Sequence, residues 1–329
     1  MEVNALSKIL CRLLSLLRRL AVVLLSILPV GPNRRLSLVA IRDIQLSFLI
    51  LCCGLSSRIV AVNGGMTSVH TWIPRRRRPE KPALLLVHGF GGNSKWQFHR
   101  QIGPLSRFFD LYIPDLVFFG RSTSTSGERS VGFQARCVAE AMRELGVEKY
   151  SVAGVSYGGY VAFRLAASAA EVDKLVILTS GICTTAEERG ETAARETRAV
   201  SEILLPQRAE DLMLLMRRSM YRPPNWVPAW LLRDFVEMMY MDHRKERLEL
   251  LRELLSNGVD LHPLPLLNQE TLIIWGDKDT VFPLYLAHRL LRHLGQKARL
   301  EVITEVGHAL QLEKSNLVNH FIIGFIINS

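Results

Sequence analysis

Residues 150–160 read Tyr-Ser-Val-Ala-Gly-Val-Ser-Tyr-Gly-Gly-Tyr, and this stretch is the strongest indication of the fold. An apolar run leads into the two glycines around Ser156, and a helix-like stretch leaves them. Strand, sharp turn and helix in that order are typical of a nucleophile elbow, where a tight reversal admits only small residues two positions either side of the serine. Gly154 and Gly158 meet that demand, so Ser156 is the predicted nucleophile.

An upstream loop offers donors for an oxyanion. The apolar run 83–87 leads into residues 88–92, His-Gly-Phe-Gly-Gly, whose glycines let backbone N–H groups approach a bound oxygen. We assign the two oxyanion donors to the N–H groups of Phe90 and Tyr157. His88 follows a buried strand and is predicted to shape this loop rather than to transfer protons.

An acylating serine also needs a base and a carboxylate that orients the base. The apolar run 271–275 ends in residues 276–279, Gly-Asp-Lys-Asp, which predicts carboxylates at the carboxyl end of a buried strand. Residues 300–303 read as a last strand, and the loop after it carries His308 behind a glycine. Along the chain, Ser156 comes first, the two aspartates of residues 276–279 come next and His308 comes last.

These four segments resemble the α/β-hydrolase superfamily, and the resemblance extends from about residue 57 to the C-terminus. It implies an α/β fold with a mostly parallel sheet, helices on both faces and a helical cap insertion. It also implies the triad Ser156, His308 and Asp279, with Asp279 rather than Asp277 orienting the histidine.

The resemblance is strongest to a plant group of uncharacterised monoacylglycerol-lipase-like or esterase-like members, through residues 114–122, 133–135 and 286–290. No substrate follows from this resemblance. The predicted triad indicates a serine hydrolase that cleaves a carboxylic ester through an acyl-enzyme, and we expect a small-molecule, apolar acyl ester as substrate, with a monoacylglycerol as one candidate. A receptor of the same fold with slow or no turnover, and a lyase or non-catalytic scaffold, remain alternatives. An acyltransferase with His-x-x-x-x-Asp is not supported, because Glu313 stands five residues after His308.

No phosphate-binding loop, dinucleotide fingerprint or zinc motif occurs in the sequence, so we expect no cofactor and no metal. The five cysteines show no metal-ligand spacing either, and a reduced compartment is the default expectation.

The order of apolar runs predicts the sheet. Residues 57–72, interrupted by Asn-Gly-Gly at 63–65, read as an antiparallel hairpin. Further strands alternate with helical segments, which is typical of a parallel sheet covered on both faces. These strands are predicted to begin at Ala83, Leu111, Tyr150, Lys174, Thr271 and Arg299. Asp115, after the strand at 111–113, is expected to stabilise neighbouring loops rather than to catalyse.

A long helical interruption divides the catalytic region into core residues 57–181, a cap at 182–268 and core residues 269–329. Four stretches of the cap have apolar residues at helical spacing, namely 199–205, 212–220, 231–241 and 248–255. Six of the nine methionines lie in the cap, and methionine adapts to irregular apolar ligands.

Residues 1–56 are predicted to be a basic, apolar targeting or membrane-associated segment. Residues 1–81 hold 13 Lys and Arg against 3 Asp and Glu, which accounts for the whole net charge of +10. The region is leucine-rich and lacks interleaved aromatic residues, so nucleic-acid binding is not expected. The apolar runs 20–30 and 44–55 are each shorter than the roughly 20 residues of a spanning helix. A membrane surface is therefore a possible partner; the alternatives are a cleaved signal or organellar transit peptide, and a cytoplasmic chain whose residues 42–55 form a helix packed on the hydrolase body.

Overall fold

A computed structural model of the chain describes residues 37–195, 200–258 and 263–327, with the backbone alone for 192–195. The apolar run 20–30 lies outside the described residues. The chain divides into two compact units, and the second, Leu46–Ser329, holds the sheet and every candidate catalytic residue. Within the described ranges, no helix is long and apolar enough to cross a membrane.

One mixed sheet organises the second unit. Its strands are β1 Leu55–Val62, β2 Thr67–Pro74, β3 Ala83–Val87, β4 Asp110–Pro114, β5 Thr123–Ser124, β6 Tyr150–Val155, β7 Val172–Leu178, β8 Glu270–Gly276 and β9 Ala298–Ile303. They lie in the order β1-β2-β4-β3-β6-β7-β8-β9, and β5 pairs with β2. Strand β2 is antiparallel to its neighbours β1, β4 and β5, whereas the strands from β4 to β9 pair in parallel. The predicted strands are all present, and the mostly parallel α/β sheet is confirmed.

The first hairpin turns where the Asn-Gly-Gly sequence predicted it. Asn63, Gly64 and Gly65 have φ values of 55°, 62° and 84°, which glycine and asparagine adopt more easily than other residues.

Helices cover both faces of the sheet. They are α1 Leu38–Cys52, α2 Ser94–Leu105, α3 Val131–Glu144, α4 Tyr157–Ser168, α5 Ala186–Arg195, α6 Val200–Leu204, α7 Ala209–Ser219, α8 Ala229–Tyr240, α9 Arg244–Asn257, α10 Tyr285–Leu294, α11 Leu310–Glu313 and α12 Ser315–Ile327. Side chains of a strand alternate between faces, so Leu84 joins the core cluster with α2 and α12, while Leu85 joins the cluster with α3, α4 and α10.

The apolar run 44–55 forms most of α1 and the first residue of β1. Ile50 is buried in one of the two core clusters, as in the alternative of a helix packed on the hydrolase body. Phe48 and Leu49 are exposed on the same helix.

Residues 182–268, the predicted cap, contain helices α5 to α9. The four predicted helices are present as α6 to α9, and α5 is additional. The cap and the core belong to the same compact unit, so the boundaries of the core and cap domains stay predictions.

Candidate active site

Ser156 lies at a strained turn between β6 and α4. Its backbone has φ 53° and ψ −117°, and its N–H donates to the Leu178 carbonyl at 2.9 Å. A Cβ atom on Gly154 would overlap the carbonyl of Gly158, and one on Gly158 would overlap the carbonyl of Val87. The two glycines are therefore required by the close approach of β3, β6 and α4. The serine is half-buried, at the N-terminus of a helix.

The loop after β3 lies directly against this serine. A Cβ atom on Gly89 would be 3.1 Å from the Cβ of Ser156. The amide N–H groups of Phe90 and Tyr157, the predicted oxyanion donors, have no hydrogen-bond partner in the part of the chain that the structure describes. Two unpaired donors beside the serine are what an oxyanion site requires.

Gln97 on α2 braces the same loop, which sequence reasoning missed. Its Oε1 accepts from the Gly89 N–H at 2.8 Å, and its Nε2 donates to the carbonyls of Gly89 and Gly91 at 2.9 and 2.5 Å. Three hydrogen bonds from one side chain hold the peptides on both sides of Phe90. No motif in the sequence marks this glutamine.

His88 shapes the loop, as predicted. The Leu116 N–H donates to His88 Nε2 at 2.9 Å, so Nδ1 carries the proton and donates to the Gly89 carbonyl at 2.8 Å. Burial lowers the pKa of His88, which favours the neutral ring that this pattern needs.

The acid and the histidine meet after β8 and β9. His308 Nδ1 lies 2.9 Å from Asp279 Oδ2, and the other oxygen of Asp279 accepts from the N–H groups of Val281 and Phe282 at 2.8 and 2.9 Å. Asp277 instead pairs with Lys278 at 3.1 Å. The hydrogen bond to the histidine therefore goes to the acid that the resemblance implied.

Thr179 links the serine and histidine loops. It follows Leu178, whose carbonyl accepts from Ser156, and its Oγ1 donates to the His308 carbonyl at 3.2 Å. Its φ of 43° is rare for a β-branched residue. Sequence reasoning missed this residue too, because the link depends on β7 lying between β6 and β8.

Glu313, which the sequence analysis used only to exclude an acyltransferase, fastens the histidine loop to the cap. Its carboxylate accepts from the N–H of Gly307 at 2.9 Å, and from those of Tyr221 and Arg222 at 3.2 and 3.0 Å. A negative charge that accepts three backbone donors makes charge-assisted bonds, which are stronger than neutral ones.

The cap contacts all three catalytic loops. At the acid loop, Thr280 Oγ1 donates to the Arg218 carbonyl at 2.9 Å, and at the histidine loop the Ala309 N–H donates to the Ser219 carbonyl at 2.7 Å. At the oxyanion loop, the hydroxyl of Tyr240 at the end of α8 lies 2.8 Å from the position that a Cβ atom on Gly91 would occupy.

An aromatic cluster surrounds the oxyanion loop. The rings of Phe90, Phe119 and Tyr157 pack together, with Phe90 5.2 Å from Phe119 and 5.7 Å from Tyr157. On α9, Arg247 places its guanidinium 4.8 Å from the centre of the Phe119 ring and is 2% exposed. Near His308, the ring of Phe282 lies 5.5 Å away. Aromatic rings therefore pack beside both the oxyanion loop and the histidine.

The structure holds Ser156 at a strand-to-helix turn with two backbone donors beside it, and it pairs His308 with a buried carboxylate. These are the kinds of group that acyl transfer to water uses. Among the described residues no group of three or more His, Cys, Asp or Glu is placed to hold a metal ion.

Comparisons with known proteins identify the fold family. A family model for the alpha/beta hydrolase fold matches residues 82–315. A 2-hydroxy-6-oxononadienedioate/2-hydroxy-6-oxononatrienedioate hydrolase from Pseudomonas sp. is 26% identical over 74% of this chain and 87% of its own. Lipase 3 from Moraxella sp. (strain TA144) is 28% identical over 70% of this chain and 72% of its own.

A solved structure of a membrane phospholipase A described as a bacterial virulence factor has a TM-score of 0.75 at 24% identity, covering 97% of this chain and 98% of its own. That of 2-hydroxy-6-oxo-6-phenylhexa-2,4-dienoate hydrolase from Rhodococcus sp. strain RHA1 has a TM-score of 0.66 at 22% identity, covering 82% and 98%. These likenesses show the fold alone. Both of these sequence relatives are bacterial, so they do not support the plant resemblance.

Proposed function

The chain belongs to the alpha/beta hydrolase fold family, and we propose that it is a serine hydrolase that cleaves a carboxylic ester through an acyl-enzyme on Ser156. The observation that carries the proposal is the hydrogen bond of 2.9 Å between His308 Nδ1 and Asp279 Oδ2. It directs the Nε2 lone pair of the histidine away from the acid, as a general base requires.

In the proposed reaction His308 takes the Ser156 proton while Oγ attacks the ester carbonyl. The negative charge on the carbonyl oxygen is stabilised by the N–H groups of Phe90 and Tyr157. The carbon–oxygen bond to the alcohol then breaks, and His308 gives its proton to the leaving oxygen. A water molecule, deprotonated by His308, then attacks the acyl-enzyme, and the carboxylic acid product leaves Ser156.

An apolar acyl ester of monoacylglycerol type is the substrate class we propose. Support comes from the rings of Phe90, Phe119 and Phe282 around the site and from the methionines of the cap. Pockets for small ligands are lined mainly by apolar side chains, and a few polar groups fix the orientation of the ligand.

Fluorophosphonate labelling of the full-length chain tests the proposal, together with hydrolysis of short- and medium-chain p-nitrophenyl esters. We expect a covalent adduct on Ser156, mapped by peptide mass spectrometry, and multiple turnovers that Ser156→Ala abolishes. The matched control is Ser180→Ala, which removes a nearby buried hydroxyl and leaves turnover in place. A folded wild type that neither labels at Ser156 nor turns over would rule the esterase out in favour of a receptor or scaffold.

A second substrate class is suggested by the Pseudomonas relative, whose name describes hydrolysis of a 2-hydroxy-6-oxo-dienedioate. The same serine, histidine and acid would serve it. Assay of such a compound beside the esters, with loss of its characteristic absorbance as the readout, decides between the two. A rate constant at least tenfold higher than for any ester would favour it.

We also propose that residues 1–56 associate with a membrane surface. Support comes from their excess of Arg and from Phe48, which is 66% exposed on α1. Flotation of the full-length chain with anionic vesicles, but not with neutral ones, is the expected result. The proposal would be contradicted if the same amount of protein were recovered in the floating fraction with and without vesicles.

A further inference from the structure

A second hydrogen-bonded series of serine, histidine and aspartate lies near the β1–β2 edge of the sheet. Ser57 Oγ is 2.9 Å from His70 Nε2, and His70 Nδ1 is 2.8 Å from Asp115 Oδ2. Ser57 is on β1, which is separated from β6 by three strands, so it lies roughly 19 Å from the Ser156 strand at about 4.8 Å per strand. His70 is on β2, roughly 14 Å from β6 by the same spacing, so it is too far from Ser156 to serve as its base.

The surrounding contacts determine where the protons are. Asp115 also accepts from the N–H and Oγ of Ser94, at 3.0 and 2.6 Å. Burial raises the pKa of Asp115, but hydrogen bonds from His70 and Ser94 outweigh it and lower the pKa to about 2. The carboxylate is the acceptor of the hydrogen bond from His70 Nδ1, and the neutral tautomer of His70 that makes this bond has an acceptor lone pair on Nε2.

A guanidinium completes the arrangement. Arg121 Nη1 donates to Ser57 Oγ at 3.1 Å, and arginine has no acceptor. Ser57 accepts from Arg121, and with the neutral tautomer of His70 its hydroxyl donates to Nε2. This is the order of donors and acceptors that activates a serine nucleophile, with a positive charge beside the attacking oxygen.

The two ends of this hydrogen-bonded series differ in their exposure to solvent. His70 and Asp115 are 2% and 3% exposed, so the base and acid are shielded from water. Ser57 is exposed, on the outermost strand of the sheet. A reagent in solvent can reach the hydroxyl while the base stays desolvated.

We propose that Ser57 is a second activated serine, an acyl-accepting site for activated esters and a phosphonylation site for fluorophosphonates, independent of Ser156. Ser57 Oγ forms a bond to the carbonyl carbon, the bond to the leaving alkoxide breaks, and the serine proton passes through His70 Nε2 to that leaving group. With a fluorophosphonate the phosphorus–fluorine bond breaks, fluoride leaves and the proton stays on His70. Arg121 stabilises the negative charge that develops beside the attacked centre.

The test uses the full-length Ser156→Ala protein, which removes labelling at the proposed active site. The protein is treated with an alkyl fluorophosphonate, and the occupancy of each serine is measured by peptide mass spectrometry, with fragmentation to distinguish Ser57 from Ser56. The internal control is Ser168, an exposed serine whose hydroxyl donates to the Arg164 carbonyl and, among the described residues, pairs with no histidine.

We expect occupancy at Ser57 at least tenfold above that at Ser168, and no such adduct after heat denaturation. Arg121→Gln, a change at an exposed residue, should reduce the rate several-fold, and His70→Gln should abolish the excess over Ser168 in protein that keeps its circular dichroism spectrum. Equal occupancy at Ser57 and Ser168 in the folded Ser156→Ala protein would overturn the proposal. That result would leave the esterase proposal intact, because the latter depends on the adduct and turnover at Ser156 in the wild type.

Discussion

The Tyr240 hydroxyl, at the end of α8, lies 2.8 Å from the position that a Cβ atom on Gly91 would occupy. The cap thus fills the space beside the oxyanion loop, and Gly91 at φ 96° is the residue that allows it. The loop can have this shape only while residue 91 has no side chain.

Gly91→Ala should therefore lower kcat/KM for p-nitrophenyl esters by roughly tenfold to a hundredfold, because backbone strain of about 1–3 kcal/mol and a clash with Tyr240 both displace the Phe90 N–H. Gly92→Ala is the matched control: φ is also positive there, at 63°, but nothing lies within 4 Å of its Cβ position. Adding Tyr240→Phe to Gly91→Ala should recover part of the loss. Equal effects of the two alanine variants would show that the cap contact does not matter.

Asp279→Asn should reduce kcat by about a thousandfold or more, because an amide no longer holds His308 with its proton on Nδ1. Asp277→Asn removes a carboxylate two residues away that pairs with Lys278, and kcat should change by less than about threefold. Steady-state kinetics on a p-nitrophenyl ester compares the two. A larger effect at Asp277 would reverse the assignment of the acid.

Gln97→Leu should lower kcat roughly tenfold to a hundredfold with a smaller change in KM, since the loss of one oxyanion donor costs about a hundredfold or more. Gln97→Glu keeps the acceptor for the Gly89 N–H but loses the two donations to Gly89 and Gly91. Its kcat should lie between those of wild type and Gln97→Leu. Unchanged kcat in both variants would mean that the loop holds its shape without the glutamine.

Arg247 joins the cap to the core by donating to the carbonyls of Phe118 and Met239 at 2.7 and 2.6 Å. Arg247→Met should destabilise the fold by about 2–6 kcal/mol, because two buried carbonyls lose their donor at about 1–3 kcal/mol each. Arg247→Lys keeps a charge but cannot span both carbonyls with a planar fork, so its stability should lie between those of wild type and Arg247→Met. Urea unfolding followed by tryptophan fluorescence measures the difference, and a loss below about 0.5 kcal/mol for Arg247→Met would contradict the prediction.

The low pKa of Asp115 predicts an acid-dependent stability. Its pKa is about 2 in the folded chain against an ordinary value of 3.8, so the ionised carboxylate stabilises the fold above about pH 4, and this contribution is lost as the pH falls through 2. The shift corresponds to roughly 2 kcal/mol.

The difference in unfolding free energy between wild type and Asp115→Asn should therefore shrink by roughly 2 kcal/mol from pH 5 to pH 2. Subtracting the variant removes the contribution of the other carboxylates. A difference in unfolding free energy that stays constant with pH would show that the pKa of Asp115 is not lowered by folding.

The local parts of the site were predictable from the sequence because each depends on neighbours in the chain. The elbow at Ser156 needs two glycines within two residues, and the Gly-rich loop around Phe90 needs its own glycines. Strand starts were also close, since β3 and β6 begin at the predicted Ala83 and Tyr150. The apolar runs in the sequence identified these two strands.

Contacts between distant residues were not predictable. Glu313 meets Tyr221 and Arg222 across about 90 residues of chain, and Ser57 meets His70 only because β1 and β2 pair in one register. A glutamate after a histidine, or a serine on an edge strand, carries no local signal of its partner.

The α/β sheet, the turn at Ser156 and the order of serine, acid and histidine could be predicted from the sequence, because the steric demands of glycine and the alternation of apolar residues act over a few residues. Long-range packing brings Asp279 rather than Asp277 to His308, places Gln97 against the oxyanion loop and puts Ser57 beside His70. Hydrogen bonds depend on distance and direction in space to within a few tenths of an ångström. Those positions are set by strand pairing and helix packing across the whole domain.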